Sequence, residues 1–452
     1  MNFADKKIAV IGLGIEGLTS AQFLVAKGAI VTILDEKKEG EIEKDVLEKA
    51  KKLGPSFIFG ENYLDNLDGF DMIVRSPGIR LDLPQLQKVK NKIISQTKLF
   101  FELCPCEIIG TTGTKGKGTT SALIYEMLKK QGLDVYLGGN IGNPPFTFLN
   151  KLTPQSFVVL ELSSFQLQDM TISPHIAVML MVTSEHLDYH KTVAEYVDAK
   201  RNILRFQTEK DFAILNRDYP ASNESDVHTS AQIFYVSRER EEVVQGCFVK
   251  NEKVVLKISG GEGDVINIKD ILLPGKHNLE NVCAATMAAT LAGVSIKNIA
   301  EVLKTFKGLE HRLELAAEIG GVKYYDDSFS TTPETAIAAI ESFKNPEILI
   351  LGGASKHSDF SELGRVISKA KNIKAIIGIG EEWPKIKSRN QNSEFRIIEG
   401  KKTMRDIVRA ASDIAESGDV VLLTPACTSF DMFKNYKDRG EQFKKEVKNL
   451  TS

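Results

Sequence analysis

The sequence predicts an α/β protein of three domains, and three observations lead to this prediction. Apolar strand-like runs alternate with helical patterns along most of the chain. Many of these runs end in glycine, hydroxyl or charged residues, as parallel strands do where a site lies at their carboxyl ends. The length of 452 residues is too great for one hydrophobic core. We therefore expect domains over residues 1–96, 97–308 and 309–452, the central one with a small antiparallel layer.

The composition is that of an ordinary globular protein. Hydrophobic residues make up 42% and charged residues 26% of the chain, which is typical of globular domains. With 58 basic and 60 acidic residues the formal net charge is -2, which argues against a general nucleic-acid-binding protein. The polar start and the lack of a long apolar run predict neither a signal peptide nor membrane insertion. The five cysteines lack the paired spacing of a zinc site, so we expect reduced thiols in a cytoplasmic protein.

The first domain opens with a dinucleotide-binding fingerprint, so we expect it to be Rossmann-like. An apolar run over 8–11 leads into Gly12-Leu13-Gly14-Ile15-Glu16-Gly17, and a helical pattern then continues to about Gly28. A second run over 31–34 ends in Asp35, where such folds place an acid near a ribose hydroxyl. The turn suits any pyrophosphate, since it requires only close backbone approach, and a purely structural glycine turn is the alternative. Further strand-like runs lie at 57–59, 72–74 and 93–95.

The central domain opens with a predicted cradle for a nucleoside triphosphate, which makes it a P-loop ATPase-type α/β domain. Residues 110–120 read Gly-Thr-Thr-Gly-Thr-Lys-Gly-Lys-Gly-Thr-Thr, between an apolar pair and a helical pattern that stops at Gly132. Glycines let successive N–H groups face phosphate oxygens, and the helix N-terminus adds partial positive charge. Lys117 would reach the outer phosphates. The ATP-binding candidates here are Gly113, Thr114, Lys115, Gly116, Lys117, Gly118 and Thr119.

One position departs from the usual P-loop pattern. That pattern has Ser or Thr directly after the lysine to hold Mg²⁺, and Gly118 stands there. We therefore assign the magnesium hydroxyl to Thr119, one residue later. A flexible Gly/Thr loop without a ligand is the alternative, which the order of strand, glycines, lysine, hydroxyls and helix disfavours.

Three more stretches of the central domain place polar groups where a ligand could bind. The glycine-rich residues 137–145 include Asn140 and predict a loop that can approach a ligand closely. The buried run 157–160 ends in Glu161, a natural Mg²⁺ ligand in such a chain, although it could simply cap a helix. The run 176–182 leads to His186, Asp188 and His190. Mg²⁺ fits this cluster better than zinc, and His190 is equally well explained as an exposed loop histidine.

The remainder of the central domain is less specific. The pattern alone does not single out Lys200, which lies on a predicted helix. Five short β-type runs between 211 and 268 predict the small antiparallel layer. A small-residue helix over 281–292 follows Asn278, which either caps that helix or contacts a base or phosphate.

The last domain again predicts a Rossmann-like α/β fold. Its strand-like runs lie at 322–325, 348–351, 375–379 and 420–423. Each leads into small, hydroxylated or charged residues, so we expect a binding face built from loops.

Together these motifs resemble the Mur ligases of peptidoglycan synthesis. The resemblance follows the family's order across nearly the whole chain. It is carried by residues 113–117, 138–142, 161–166 (Glu-Leu-Ser-Ser-Phe-Gln), 186–188, 275–278, 309–314, 351–353 and 425–433. The run 161–166 and the run around Ser429 point to the D-glutamate-adding member.

The resemblance implies an ATP-dependent amide ligase. In such an enzyme, ATP phosphorylates the free carboxylate of UDP-N-acetylmuramoyl-L-alanine, and the amine of D-glutamate attacks the acyl phosphate. The first domain then binds the uridine diphosphate. The resemblance also implies Mg²⁺, a carbamylated Lys200 that bridges magnesium, and a cytoplasmic monomer with small-molecule substrates.

The resemblance also assigns residues to each part of the reaction. The catalytic residues are Lys117, Glu161, His186 and Lys200, and the magnesium site comprises Thr119, Glu161, His186 and Lys200. Further ATP contacts fall on Asn278, Arg312 and Asp327. The UDP-substrate contacts are Gly14, Asp35, Glu36 and Asn140. The amino-acid contacts are Thr331, Lys356, Ser429 and Tyr436.

Phe329 departs from the family pattern, and three other interpretations stay open. Many D-glutamate-adding members carry lysine at this position, and phenylalanine cannot pair with a carboxylate or phosphate.

The first alternative is a sibling Mur enzyme or a folylpolyglutamate synthase, whose phosphate loop also tolerates glycine after lysine. The second is an NAD-dependent oxidoreductase built on residues 12–17, which leaves Glu161 and the phosphate loop unexplained. The third is a non-catalytic nucleotide-binding switch, which needs no large third domain.

Overall fold

The computed structural model describes residues 1–183, 189–355, 358–389 and 395–451. The predicted site residues His186 and Lys356, together with Asp188, lie outside the described residues. The chain forms two compact units, one of Met1–Ile268 with Glu280–Val302 and one of Lys269–Leu279 with Leu303–Ser452. In the described part of the chain, no helix has both the length and the apolar character needed to cross a membrane.

The first sheet has five parallel strands and confirms the Rossmann-like prediction. Its strands are β1 (Lys7–Ile11), β2 (Ile30–Asp35), β3 (Ser56–Phe59), β4 (Met72–Arg75) and β5 (Ile93–Ser95), in the order β3-β2-β1-β4-β5. Its helices are α1 (Ile15–Ala26), α2 (Lys44–Lys51) and α3 (Pro84–Lys88). Ile11 pairs with Leu34, so the glycine turn after β1 and the acid that ends β2 meet at the same edge of the sheet.

The second sheet has nine strands and carries the predicted phosphate loop. Its strands are β6 (Glu107–Thr112), β7 (Val135–Gly139), β8 (Phe157–Glu161), β9 (Ile176–Met179), β10 (Phe212–Asn216), β11 (Gln232–Ser237), β12 (Gly246–Lys250), β13 (Lys253–Ile258) and β14 (Gly261–Asn267). The helices of this stretch are α4 (Gln96–Leu103), α5 (Lys117–Gln131), α6 (Ser164–Leu167), α7 (Val193–Arg205), α8 (Pro220–Asn223), α9 (His277–Leu291) and α10 (Ile296–Thr305). The strand order is β14-β13-β12-β11-β10-β9-β6-β8-β7. Strand β6 therefore lies between β8 and β9, and the ends of all three face the phosphate loop.

The antiparallel part of this sheet is smaller than the sequence predicts. Strands β10 and β11 pair in parallel with each other and with the main sheet, whereas only β12 to β14 form antiparallel pairs. These strands continue the main sheet rather than forming a separate layer. Short β-type runs with turns between them do not reveal strand direction, since direction depends on which neighbour each strand pairs with.

Three predicted boundaries in this region were wrong. Residues 137–139, predicted as loop, belong to β7, which pairs along β8. Strand β9 ends at Met179 rather than at 182, because the next residues leave the ladder to bond the phosphate loop. Helix α9 begins at His277, four residues before the predicted start.

Aromatic residues join the first two sheets within their common unit. Phe100 of α4 meets Phe146 and Phe148 edge-on, with ring centroids 6.1 and 5.9 Å apart. Phe23 of α1 lies 5.1 Å from Phe146. These residues belong to one buried cluster, and a buried aromatic side chain contributes about 2–3 kcal/mol through the area it removes from water.

The third sheet has six strands and lies in the second unit. Its strands are β15 (Glu314–Ile319), β16 (Val322–Asp326), β17 (Glu347–Gly352), β18 (Ile373–Ile379), β19 (Arg396–Ile398) and β20 (Val420–Leu423). Its helices are α11 (Pro333–Ile340), α12 (Ser361–Lys369), α13 (Trp383–Ser388), α14 (Met404–Ser412) and α15 (Tyr436–Lys448). The order is β15-β16-β20-β17-β18-β19, and only β15 runs antiparallel to its neighbour. All four predicted strands are confirmed, and β17 and β20 are buried throughout, as strands covered on both faces must be.

Candidate functional site

The phosphate loop connects β6 to α5 as predicted. Gly113 has φ +158° and Gly116 has φ +85°, a region that residues with a Cβ rarely adopt. A Cβ on Gly113 would lie 2.9 Å from the Cβ of Leu180, and a Cβ on Gly116 would lie 2.2 Å from Oδ1 of Asn281. Any other residue at these two positions would therefore strain the backbone and force a neighbouring side chain to shift.

Thr114, predicted to contact ATP, is buried and ties the loop to the chain that follows β9. Its N–H donates to the Met181 carbonyl at 2.6 Å. Its Oγ1 accepts from the Thr183 N–H at 3.0 Å and lies 3.0 Å from the Tyr196 hydroxyl. These bonds fix the shape of the loop, whereas Lys115, the next residue, is exposed.

Two lysines converge on one carbonyl of the loop. Lys117 Nζ donates to the carbonyls of Gly113 at 2.9 Å and Thr114 at 3.0 Å. Lys200 Nζ, on α7, donates to the same Gly113 carbonyl at 2.8 Å. Lys200 is only 1% exposed, and its Nζ lies 4.7 Å from the centre of the Tyr196 ring. Both side chains therefore reach the phosphate loop, and Lys117, as a cation, is suited to neutralising a polyphosphate.

The two threonines at the start of α5 differ in their surroundings. Thr120 is fully buried, and its hydroxyl donates to Asn281 Oδ1 at 3.3 Å. Thr119 is partly exposed in the first turn, which favours it over Thr120 as the hydroxyl that meets a ligand. Asn281, which sequence reasoning missed, contacts the loop from α9, and its spacing of three residues from Asn278 on a helix was the available signal.

Glu161 ends β8 beside the loop, where it bonds Asn140. The Asn140 side chain donates to Glu161 Oε1 at 3.0 Å, and its N–H donates to the Glu161 carbonyl at 2.9 Å. The interpretation of Glu161 as a helix cap was wrong, because Ser163 caps the next helix. Glu161 is 3% exposed, and a buried carboxylate with an amide partner is a suitable metal ligand.

His190 is not an exposed loop histidine. It is fully buried, its Nε2 lies 2.9 Å from Ser164 Oγ, and its ring stacks on Phe165. The interpretation as a surface residue was therefore wrong.

The glycine turn after β1 lines a cleft of about 480 Å³. A Cβ on Gly17 would lie 1.8 Å from the Gly12 carbonyl oxygen, so this glycine is required by packing. A Cβ on Gly14 would meet no described residue within 4 Å. Asp35 accepts from the Leu13 N–H at 2.6 Å and lines the cleft, and Glu36 beside it is exposed.

In the second unit, Asn278 and Asp327 make bonds within the protein. The Asn278 side chain donates to the Pro274 carbonyl at 2.6 Å. Since Asn278 lies inside α9 and its side chain donates, the interpretation of Asn278 as a helix cap was wrong. Asp327 accepts from the Leu313 N–H and the Thr424 hydroxyl, both at 3.1 Å. Burial raises the pKa of Asp327 to about 7.

Two of the predicted amino-acid contacts, Thr331 and Ser429, lie on loops that a buried arginine holds together. Thr331 precedes α11, Ser429 follows β20, and Tyr436 begins α15. Arg439 donates to the Ser328 carbonyl at 2.8 Å and to the Cys427 carbonyl at 3.2 Å. Burial lowers the pKa of Arg439 to about 10. Sequence reasoning missed this arginine, and no local motif marks it.

Three family models match successive parts of the chain. They are the Mur ligase MurD-like N-terminal domain over residues 6–96, the Mur ligase middle domain over 111–289, and the Mur ligase glutamate ligase domain over 311–427. Together the matched segments include the glycine turn, the phosphate loop and the Arg312 region.

Named relatives and solved structures agree with these matches. The UDP-N-acetylmuramoylalanine–D-glutamate ligase of Acetivibrio thermocellus is 41% identical over 99% of this chain and 97% of its own length. The ligase of the same name from Clostridium tetani is 39% identical over the same shares. The MurF ligase of Thermotoga maritima in complex with ADP shares the fold, with a TM-score of 0.59 at 18% identity over 99% of this chain and 96% of that one. The UDP-N-acetylmuramate-alanine ligase MurC of Thermotoga maritima has a TM-score of 0.60 at 16% identity, over 98% and 100%. The chain is therefore a member of the Mur ligase family.

Proposed function

We propose that this protein uses ATP to join D-glutamate to UDP-N-acetylmuramoyl-L-alanine through an acyl phosphate. The observation that carries the proposal is the convergence of Lys117 and Lys200 on the phosphate loop beside Glu161. The choice of substrates is supported by the full-length relatives, which are named for D-glutamate and UDP-N-acetylmuramoylalanine. Because full-length relatives of that name are about 40% identical to this chain, the other interpretations are less favoured. These were a sibling Mur enzyme or a folylpolyglutamate synthase, an NAD-dependent oxidoreductase, and a non-catalytic nucleotide-binding switch.

The phosphate loop is proposed to bind the triphosphate through its backbone N–H groups and Lys117. In the structure, Lys117 Nζ is satisfied by two loop carbonyls. Its flexible stem would let it exchange these neutral acceptors for phosphate oxygens, which bind an ammonium more strongly. The predicted ATP contacts Asn278, Arg312 and Asp327 are retained as part of the proposal.

The magnesium site is proposed to comprise Thr119, Glu161, His186 and carbamylated Lys200. The hydroxyl and carboxylate oxygens in this set fit a hard cation. Mg²⁺, when bound, neutralises charge on the phosphoryl group during transfer. A carbamylated lysine retains one N–H on Nζ, and one donor is enough for the 2.8 Å bond that Lys200 makes to the Gly113 carbonyl.

The first domain is proposed to bind the UDP moiety in the cleft after β1. The open space at Gly14 leaves room for a pyrophosphate against the backbone, and α1 contributes its N-terminus. Asp35, Glu36 and Asn140 complete the predicted contacts. The proposed domains span 1–96, 97–308 and 309–452, and each has one of the three sheets.

D-Glutamate is proposed to bind Thr331, Lys356, Ser429 and Tyr436. The described members of this set lie on the loops after β16 and β20 and at the start of α15, and β16 and β20 are adjacent parallel strands. Loops from the carboxyl ends of adjacent strands suit a small polar ligand. A monomer in the cytoplasm, where ATP is available, completes the proposal.

The proposal is tested by phosphate release from ATP with Mg²⁺ and UDP-N-acetylmuramoyl-L-alanine, across a panel of D- and L-amino acids. We expect release with D-glutamate and little with L-glutamate, its matched control. Release with a different amino acid would overturn the substrate assignment and retain the ligase chemistry. Hydride transfer to NAD in place of amino-acid-dependent release would overturn the ligase assignment itself.

A further inference from the structure

The Arg312 guanidinium lies on the ring of Phe329, the residue that departs from the family pattern. Arg312 Cζ is 3.8 Å from the ring centroid, well inside the range of a cation–π contact. Tyr436 also contacts Phe329, with its ring 5.1 Å from that of Phe329 and perpendicular to it. The three side chains form an ordered stack, which we call the Arg312 stack.

The backbone on either side of Arg312 is held by buried groups. His311 Nδ1 lies 2.7 Å from Asp326 Oδ2, and His311 is 2% exposed. The Leu313 N–H donates to Asp327 at 3.1 Å. Because the backbone is fixed at both neighbours, the direction of the Arg312 side chain is set by what its guanidinium contacts.

Phe329 is itself anchored to the same turn. Its N–H donates to the His311 carbonyl at 2.9 Å, so the ring and the arginine belong to one local frame. The Phe329 side chain is 36% exposed, so part of the ring stays at the surface. The guanidinium lies over the aromatic face, so the ring limits the positions that the Arg312 side chain can adopt.

We propose that Phe329 is a positioning residue that holds Arg312 for a nucleotide phosphate or base, and so sets the affinity for ATP. This inference rests on the proposed function, in which Arg312 contacts ATP. A lysine at position 329 would place a second cation against the guanidinium, whereas the aromatic face attracts it. Phenylalanine at position 329, in place of the lysine of many D-glutamate-adding members, thus holds Arg312 in place without adding charge.

The test compares ATP dissociation constants, measured by equilibrium titration of the full chain, for Phe329 variants. Phe329→Leu removes the aromatic face, and we expect ATP to bind about two- to fivefold more weakly, the range for a partly exposed cation–π contact. Phe329→Trp, which keeps an aromatic face, should bind ATP as tightly as wild type, and Phe329→Lys should bind ATP more weakly than Phe329→Leu. Phe206→Leu is the matched control, since Phe206 is 39% exposed and lies in the other unit.

A double variant separates positioning from simple packing. With Arg312→Ala in the background, Phe329→Leu should cause no further loss of ATP affinity. Equal ATP affinity in wild type and Phe329→Leu, or the same loss with and without Arg312, would overturn the inference. Unchanged ATP affinity in Arg312→Ala would instead refute the proposed contact between Arg312 and ATP. Phosphate release by the wild-type enzyme that does not depend on D-glutamate would refute the proposed function.

Discussion

Substituting Gly116 by alanine tests the geometry of the phosphate loop most directly. The new Cβ would lie 2.2 Å from Asn281 Oδ1, and the backbone has φ +85°. Left-handed backbone costs a residue with a Cβ roughly 1–2 kcal/mol. Asn281 is 4% exposed and accepts from the Thr120 hydroxyl, so moving it aside loses about 1 kcal/mol of hydrogen bonding. We expect a total loss of roughly 2–3 kcal/mol.

Gly132→Ala is the matched control for this loss. Gly132 ends the same helix with φ +87°, and a Cβ there would meet no described residue within 4 Å. It should therefore cost only the backbone strain of roughly 1–2 kcal/mol. The difference between the two variants isolates the contact with Asn281.

A double-mutant cycle with Asn281→Ala completes the test. Asn281→Ala should cost about 1–3 kcal/mol, because it leaves the buried Thr120 hydroxyl without its acceptor. The Gly116→Ala/Asn281→Ala variant should lose less than the sum by about 1 kcal/mol, since one hydrogen bond can be lost only once. Urea unfolding gives the free energies, and ATP titration reports the loop itself. Strictly additive losses, or a Gly116→Ala variant with wild-type stability and ATP affinity, would refute the reasoning.

Three further predictions concern charged groups. Lys117→Ala should abolish turnover, while the affinity for the UDP substrate, measured by calorimetry, should stay within twofold of wild type. Lys129→Ala, at the far end of α5, is the control. Normal ligation by Lys117→Ala would contradict the assignment of this loop to the triphosphate. Lys200→Ala should release no phosphate, and its activity should recover when short carboxylic acids are supplied in place of the carbamate. Lys200→Arg should not recover under the same conditions. Full activity of Lys200→Ala without added acid would refute the role of a carbamylated Lys200. Burial raises the pKa of Glu347 to about 8, with Asn372 bonding one oxygen. Between pH 4.5 and 8 this carboxyl is protonated when folded and ionised when unfolded, so stability falls by up to about 1.4 kcal/mol per pH unit as pH rises. Glu347→Gln should reduce that slope in urea unfolding at pH 5.5 and 7.5, and an equal slope in both proteins would be contrary evidence.

The parts of the site that could be predicted from the sequence are those whose signal is contiguous. The phosphate loop was recognisable because a strand, glycines, a lysine and a helix follow one another within residues 107–131. Asp35 was predictable from its spacing to the glycine turn. By contrast, Asn281 contacts Thr120 across 161 positions, and Arg439 contacts Ser328 across 111, so no local pattern could identify them.

The environment of a residue was predicted less well than its presence. The prediction that Glu161 ends a strand was confirmed, but its partners could not be predicted. In the folded chain Ser163, not Glu161, caps the next helix, and Glu161 accepts a hydrogen bond from Asn140. For His190 the sequence left a surface position and a site role open, and its burial follows from contacts with Ser164 and Phe165. Periodicity indicates which face of an element is apolar, and it does not indicate which neighbours close over a polar group.

The sequence by itself determined the α/β class, the order of the motifs along the chain and the strand–loop–helix arrangement at residues 107–131, because these depend on local hydrophobic period and backbone freedom. Only the tertiary structure decided that Lys200 is buried and bonds the Gly113 carbonyl, 87 positions away. It also decided that β10 and β11 run parallel to the main sheet and that Phe329 underlies Arg312. The physical reason is that strand direction, burial of charge and side-chain stacking are set by partners distant in sequence, and these partners meet only when the sheets and their connecting loops have packed.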